Sequence, residues 1–200
     1  MQSFGKHFIK ALLMLIPAVA LVAGMEMYQK YQQEQAGGSM QLGSPFTLQT
    51  QDGPFTLASD GNELNVIYFG YTQCPDICPT SMSVMSAAFN QLPTDALQKV
   101  QGILISVDPE RDTLEHLKTY AEYFHPQIKG MTDAPETIRA LSARYGAFYQ
   151  KAEVKGSAMG YTVDHTSVFY LTNREGQVLE TVSHSASPDD LLAALKKRLL

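Results

Sequence analysis

Apolar residues run almost unbroken from Ala11 to Met25, interrupted only by Pro17 and Gly24, and no polar face recurs along them. A helix of a water-soluble domain keeps one wet face, so this stretch does not read as part of a core. With Phe8, Ile9 and a snorkelling Lys10 included, a helix here would run about 27 Å, against a hydrocarbon layer of roughly 30 Å. The pattern predicts a single transmembrane helix. Lys6, His7 and Lys10 precede it, which puts the rest of the chain outside the cytoplasm. Ala18-Val19-Ala20 is a small-x-small tract of the kind a signal peptidase cuts, but apolar character continues through Leu21, Val22 and Met25. An uncleaved anchor is therefore preferred over a signal peptide. The polar, Gln-rich run Tyr28–Gly43 reads as a flexible tether. Three segments follow: 1–27 as anchor, 28–43 as tether and 44–200 as the folded domain.

Within 44–200 the pattern alternates between periods. Pro45-Phe-Thr-Leu and Pro54-Phe-Thr-Leu are each followed by Asp-Gly, at Asp52-Gly53 and Asp60-Gly61, which predicts an N-terminal β-hairpin. Leu64–Tyr71 and Val100–Val107 are continuous β-branched and aromatic runs, read as buried strands. A helix is predicted over Pro79–Gln91, with Pro79 in its first turn. A second, over Asp112–Phe124, carries Leu114, Leu117, Ala121 and Phe124 on one stripe; Pro135–Tyr145 makes a shorter third. Thr166–Leu171 and Gln177–Val182 flank the turn signal Asn173–Gly176 and predict a hairpin. A last helix opens at Ser187-Pro188-Asp189-Asp190 and closes on Lys196, Lys197 and Arg198, as capping and the macrodipole favour. Strand, helix, strand, helix, hairpin, helix is an α/β order of the thioredoxin-like kind.

Composition narrows the function. Fifteen basic and twenty acidic residues give a net charge of −5, with no basic block. Nucleic-acid binding needs clustered Lys and Arg and is excluded as a reading. Two cysteines, Cys74 and Cys78, rule out a disulfide-rich scaffold and a four-thiolate zinc site.

The spacing of that pair is Cys-x-x-x-Cys, in Cys74-Pro75-Asp76-Ile77-Cys78-Pro79. Outside the cytoplasm a plain disulfide is the simplest reading. A bridge closing so short a loop removes little chain entropy, which argues for a working pair. Three intervening residues let two thiolates face one ion, and soft sulfur suits Cu(I) or Zn. Among the histidines, His7 lies on the wrong side of the anchor and His116 falls off its helix's apolar stripe. His125 ends that helix, where a cation is favoured, and His184 sits in a serine-rich loop. His165 leads into the buried run Thr166–Leu171 and is either a metal ligand or a satisfied structural group. Asp164 is its candidate orienting partner, although neighbours on a strand point apart. Met82 and Met85 follow Cys78 at helical spacing and read as core.

The segment Tyr68-Phe-Gly-Tyr-Thr-Gln-Cys-Pro-Asp-Ile-Cys-Pro-Thr-Ser-Met82 resembles the signature of the Sco/SenC family of copper-binding proteins. Val107-Asp-Pro-Glu-Arg-Asp-Thr113 and Val163-Asp-His-Thr166 resemble two further stretches of that family. Leu114 and Met82 depart from its usual Pro and Leu, both outside the ligand set. The resemblance implies a thioredoxin-like domain on a membrane anchor, with Cys74, Cys78 and His165 as copper ligands. It implies delivery of Cu(I) or Cu(II) to the binuclear copper centre of cytochrome c oxidase. The expected partners are that copper-centre subunit, an upstream copper donor and a thiol–disulfide reductant. The expected location is the inner membrane, with the domain in the periplasm or its equivalent. Cys74 and Cys78 would also form a redox disulfide, since only the reduced pair offers thiolates. The competing class is a metal-free thiol–disulfide oxidoreductase or peroxidase using the same cysteines, and a copper sensor is a third.

Overall fold

A computed structural model describes residues 24–28, 41–59, 61–154 and 160–199. Residues 24–28 are helical. The rest of the predicted anchor and most of the tether lie outside the described residues, among which no helix is long and apolar enough to cross a membrane.

Residues 42–200 form one compact unit. It opens with the expected hairpin, β1 (Thr47–Thr50) and β2 (Gly53–Thr56), antiparallel with Leu48 opposite Phe55. The central sheet has five strands: β3 (Leu64–Gly70), β4 (Val100–Ser106), β5 (Ile128–Met131), β8 (Val168–Asn173) and β9 (Val178–Ser183). Their order is β5-β4-β3-β8-β9. β4 runs parallel to β3 and to β5, while β8 is antiparallel to both β3 and β9. β3 and β4 are buried along their whole length, which is why both read as unbroken apolar runs.

Alternation along β3 divides the core. Phe69 meets Tyr170 and Tyr145, and Tyr145 also meets Phe46 from the N-terminal segment. Tyr68 points to the opposite face, beside Phe169. On that face lies α1 (Ile77–Phe89), whose Met85 and Phe89 close on Gly102 of β4. Met82 and Met85 are fully buried, as expected of core residues. α1 packs on α3 (Leu114–Phe124) and on the last helix, α5 (Pro188–Leu199). α2 (Thr94–Leu97) and α4 (Pro135–Arg144) are the other α-helices among the described residues of the unit.

The structure departs from the sequence reading at several places that bear on the site, besides the unpredicted α2 and starts two residues later than read for α3 and β8. α1 begins at Ile77, two residues before Pro79, so Cys78 belongs to its first turn. Leu42 and Gly43, read as tether, are joined to the domain: Gly43 N donates to Arg144 O at 2.7 Å, and Val178 N donates to Leu42 O at 2.9 Å. Gly43 has φ +92°, and a Cβ there would fall 2.1 Å from Gly176 O, so only glycine fits. β5 is short and interrupted by the exposed Lys129, too brief to show a period. Finally, β6 (Tyr149–Glu153) and β7 (Tyr161–His165) form a separate antiparallel pair. β6 is mostly exposed, so its strand is held by pairing and left no apolar pattern to read.

Candidate metal centre

Three segments converge at the carboxyl end of β3. Cys74 lies in the loop between β3 and α1, Cys78 in the first turn of α1, and His165 at the end of β7. Their donor atoms all lie within 4.8 Å of one another. Cys78 Sγ is 3.3 Å from His165 Nε2, and Cys78 N donates to Cys74 Sγ at 3.4 Å. Both thiols are free. Cys78 is fully buried, whereas Cys74 and His165 are half-buried.

The two sulfurs share one proton unequally. The Cys78 thiol, donating to Cys74, is the largest influence holding the Cys74 thiol down at about 3 against an ordinary 9.0; His165 and the backbone at Asp76 and Cys78 also lower it. Cys78 is pushed far up by the same contact, by burial and by the Cys74 charge. The reduced pair is thus one thiolate and one thiol, with the thiolate on the accessible side.

Aromatic residues frame the centre. The Tyr68 and Tyr71 rings stand edge-on to His165 at 5.8 and 6.0 Å between centroids. Tyr71 Oη accepts from Val163 N at 3.2 Å, tying β7 to the cysteine loop. Gly70 leaves the room: a Cβ there would sit 2.9 Å from both Cys78 Sγ and Tyr68 Cε1. Burial above all, with the neighbouring cysteine pair adding to it, pushes the Tyr68 phenol up, so it stays protonated.

His165 Nδ1 lies 3.3 Å from Thr166 O, which can fix the ring with Nε2 free toward the sulfurs. Asp164 does not serve: it is exposed, pointing away as strand alternation requires. The remaining histidines are elsewhere. His116 is exposed. His184 Nδ1 contacts Ser167 O at 3.0 Å. His125 is buried against Phe89, and its Nδ1 accepts from Gln127 N at 3.0 Å. Burial lowers its basicity, so it stands there as a neutral ring and not as the helix-terminal cation expected from sequence.

The sequence reading assigned no role to Asp108 or Asp112, both buried. Asp112 accepts from Thr72 N, Thr72 Oγ1 and Ser106 Oγ, while Asp108 accepts from Arg111 and Tyr161. Two acids within six residues of the end of a buried strand were the available signal.

Fold and centre define a thioredoxin-like thiol protein whose cysteine pair is completed by a histidine from a distant strand. The chain belongs to the SCO1/SenC family, whose profile matches residues 34–200. It is 33% identical over 165 residues to "Protein SCO1 homolog 1, mitochondrial" of Arabidopsis thaliana; the match covers 82% of this chain and 49% of that one, about half the relative's length. The solved structure of Bradyrhizobium japonicum ScoI with copper bound superposes with a TM-score of 0.69 at 36% identity, covering 79% of this chain and 99% of that one. BsSco, described as having a disulfide switch and as a member of the Sco family of cytochrome c oxidase assembly proteins, superposes with a TM-score of 0.61 at 27% identity. That match covers 79% of this chain and 93% of BsSco.

Proposed function

We propose that this protein is a membrane-tethered copper chaperone that carries one copper ion on Cys74, Cys78 and His165 and delivers it to the binuclear copper centre of cytochrome c oxidase. The observation that carries this reading is the convergence of two sulfurs and one imidazole nitrogen within 4.8 Å from three separate segments. Two soft thiolates favour Cu(I), and an added imidazole makes the set serviceable for Cu(II). Copper is the cargo here, so the site must release it as well as hold it. A cleft of about 350 Å³ opens onto Cys74 and His165, between Pro75–Ile77 and Thr162–Asp164. Cys78 lies behind it, buried. An acceptor's sulfur or imidazole can enter through that cleft and bind before Cys78 lets go, so the ion is never free. The relative solved with copper bound and the oxidase-assembly description of BsSco support the cargo and the acceptor.

Only the dithiol offers ligands, so a thiol reductant and an upstream copper donor are the further partners. Lys6 and Lys10 ahead of the apolar run 11–25 support placing the domain on the extracytoplasmic side of the inner membrane. A reporter fused after Leu200 should be active only outside the cytoplasm, and recovery of the full-length protein in the cytosol would end that part of the proposal. Mild oxidation should join Cys74 to Cys78 and abolish copper uptake until the pair is reduced. Equal loading before and after reduction would refute the thiolate site.

One observation favours a second reading, a metal-free thiol–disulfide oxidoreductase or peroxidase. The Cys74 thiol is held down toward the thiolate by the Cys78 thiol beside it, their sulfurs within 4.8 Å, the arrangement of an attacking and a resolving cysteine. Turnover of a disulfide or peroxide by metal-free protein, unchanged in His165→Ala, would select it.

A further inference from the structure

The turn after β4 carries four charged side chains in five residues, Asp108, Glu110, Arg111 and Asp112, and the metal centre uses none of them as a ligand. The turn itself is rigid: Arg111 N and Asp112 N both donate to Asp108 O, at 3.1 and 3.0 Å. Its side chains grip two different parts of the molecule. On one side, the buried Asp112 carboxylate takes Thr72 Oγ1 at 2.6 Å and Thr72 N at 3.1 Å, two residues ahead of Cys74. On the other, Asp108 Oδ1 accepts from Tyr161 Oη at 2.7 Å, and Arg111 Nη1 donates to Tyr161 O at 3.0 Å. The Arg111 guanidinium also lies over the Tyr161 ring, 3.7 Å from its centroid. Lys151 of β6 pairs with Glu110 at 2.6 Å.

β6 and β7 form their own two-stranded sheet, with no ladder to the five-stranded one. The main sheet reaches His165 only from its far side, through β8, which starts at Val168 and whose entry is pinned by His184 N donating to Ser167 O at 3.1 Å. The near side is held by the pairing with β6, by the grip on Tyr161, four residues before His165 on the same strand, and by the Tyr71–Val163 bond.

We propose that the turn Asp108–Asp112 is a two-handed positioning device, Asp112 holding the Cys74 loop through Thr72 and Asp108 with Arg111 holding the His165 strand through Tyr161. One rigid turn then fixes the sulfur-to-imidazole spacing. This rests on the copper reading above and gives the two hands different signatures. The Cys74 hand serves both oxidation states, because both need the thiolate. The His165 hand serves Cu(II) above all, because two thiolates alone still suit Cu(I).

The test uses Tyr161→Phe, which keeps the ring over Arg111 and removes only the hydroxyl, and Thr72→Val, which keeps the shape and removes the shorter, side-chain bond to Asp112 while leaving the one from Thr72 N. Cu(I) affinity is measured by competition with a chromogenic chelator, and Cu(II) by the thiolate-to-copper absorption. Loss of a partner that orients a ligand typically costs roughly ten- to hundredfold in metal affinity. Tyr161→Phe is expected to lose that much for Cu(II), to shift the absorption, and to leave Cu(I) within about threefold. In a His165→Ala background the same change should have no further effect on Cu(II), since coupled residues are not additive. Thr72→Val should weaken both ions by a common factor. Should Tyr161→Phe fail to fold, Thr72→Val still decides its own hand. Equal loss of both ions in Tyr161→Phe, no loss in either variant, or an oxidation-state split in Thr72→Val would overturn the device. A parent protein that binds neither ion would instead overturn the copper reading.

Discussion

Replacing Gly70 by alanine would put a methyl group against the buried sulfur of the centre. The new Cβ would lie 2.9 Å from Cys78 Sγ, 2.9 Å from Tyr68 Cε1 and 3.1 Å from Tyr68 Cδ1. Tyr68 and Cys78 are both fully buried, so neither can move aside into water. Overpacking of this kind costs about 1–3 kcal/mol. Gly70 has an ordinary backbone conformation, so alanine recovers about 0.4–1 kcal/mol by restricting the unfolded chain. The net loss is about 0–2.6 kcal/mol, or a fall in Tm of up to about 10 °C at this chain length. Gly102→Ala is the matched control. Its Cβ would meet Met85 Sδ at 2.9 Å, Ile128 Cγ1 at 3.0 Å and Phe89 Cε2 at 3.0 Å, an equal crowding with none of the three donors in contact. Urea unfolding of the reduced apo-proteins should give similar losses for the two variants. Copper titration should separate them: Gly70→Ala weakened by roughly tenfold or more through displacement of Cys78 Sγ, Gly102→Ala unchanged. Equal copper affinity in both variants would refute the claim that Gly70 makes room for the ligand.

Alkylation should report the unequal sharing of the proton. Cys74, a thiolate down to about pH 3, is expected to react with iodoacetamide at nearly the same rate at pH 5 and pH 8, with the buried Cys78 protected. A rate rising about tenfold per pH unit to pH 8, as for an ordinary thiol, or earlier labelling of Cys78, would contradict it. His125 should make the fold acid-sensitive. Burial lowers its folded pKa below 6.5, so below that pH the unfolded chain binds more protons and stability falls with pH. His125→Leu, which loses the bond from Gln127 N, should be less stable at pH 7 but show a flatter decline to pH 5 in urea midpoints. A decline as steep as the parent's would refute the buried neutral ring.

The central strands were legible because burial on both faces writes itself as continuous apolar runs, as in Leu64–Gly70 and Val100–Ser106. The Cys74–Cys78 pair was equally legible, being contiguous. His165 was legible through the resemblance of Val163–Thr166 to the family and not through its local pattern, which put it at the entrance to a core strand, whereas it ends the separate strand β7. Its partners arrive from 87 residues away, a relation no local period records. His125 was misread because a helix terminus was weighed without the Phe89 ring that buries it. Gly70 carried a signal that went unused, since a lone glycine in an otherwise bulky strand marks close approach of another group. Asp108 and Asp112 owe their meaning to Tyr161 and Thr72, 53 and 40 residues distant.

The most direct test of the three-donor account is copper binding by reduced protein carrying His165→Ala, with His116→Ala and His184→Ala as controls. A site built from Cys74, Cys78 and His165 is expected to lose Cu(II) and its thiolate-to-copper absorption when His165 is removed, and to retain Cu(I) on the two sulfurs. The two control variants should match the parent for both ions. Undiminished Cu(II) binding and absorption in His165→Ala would contradict the account.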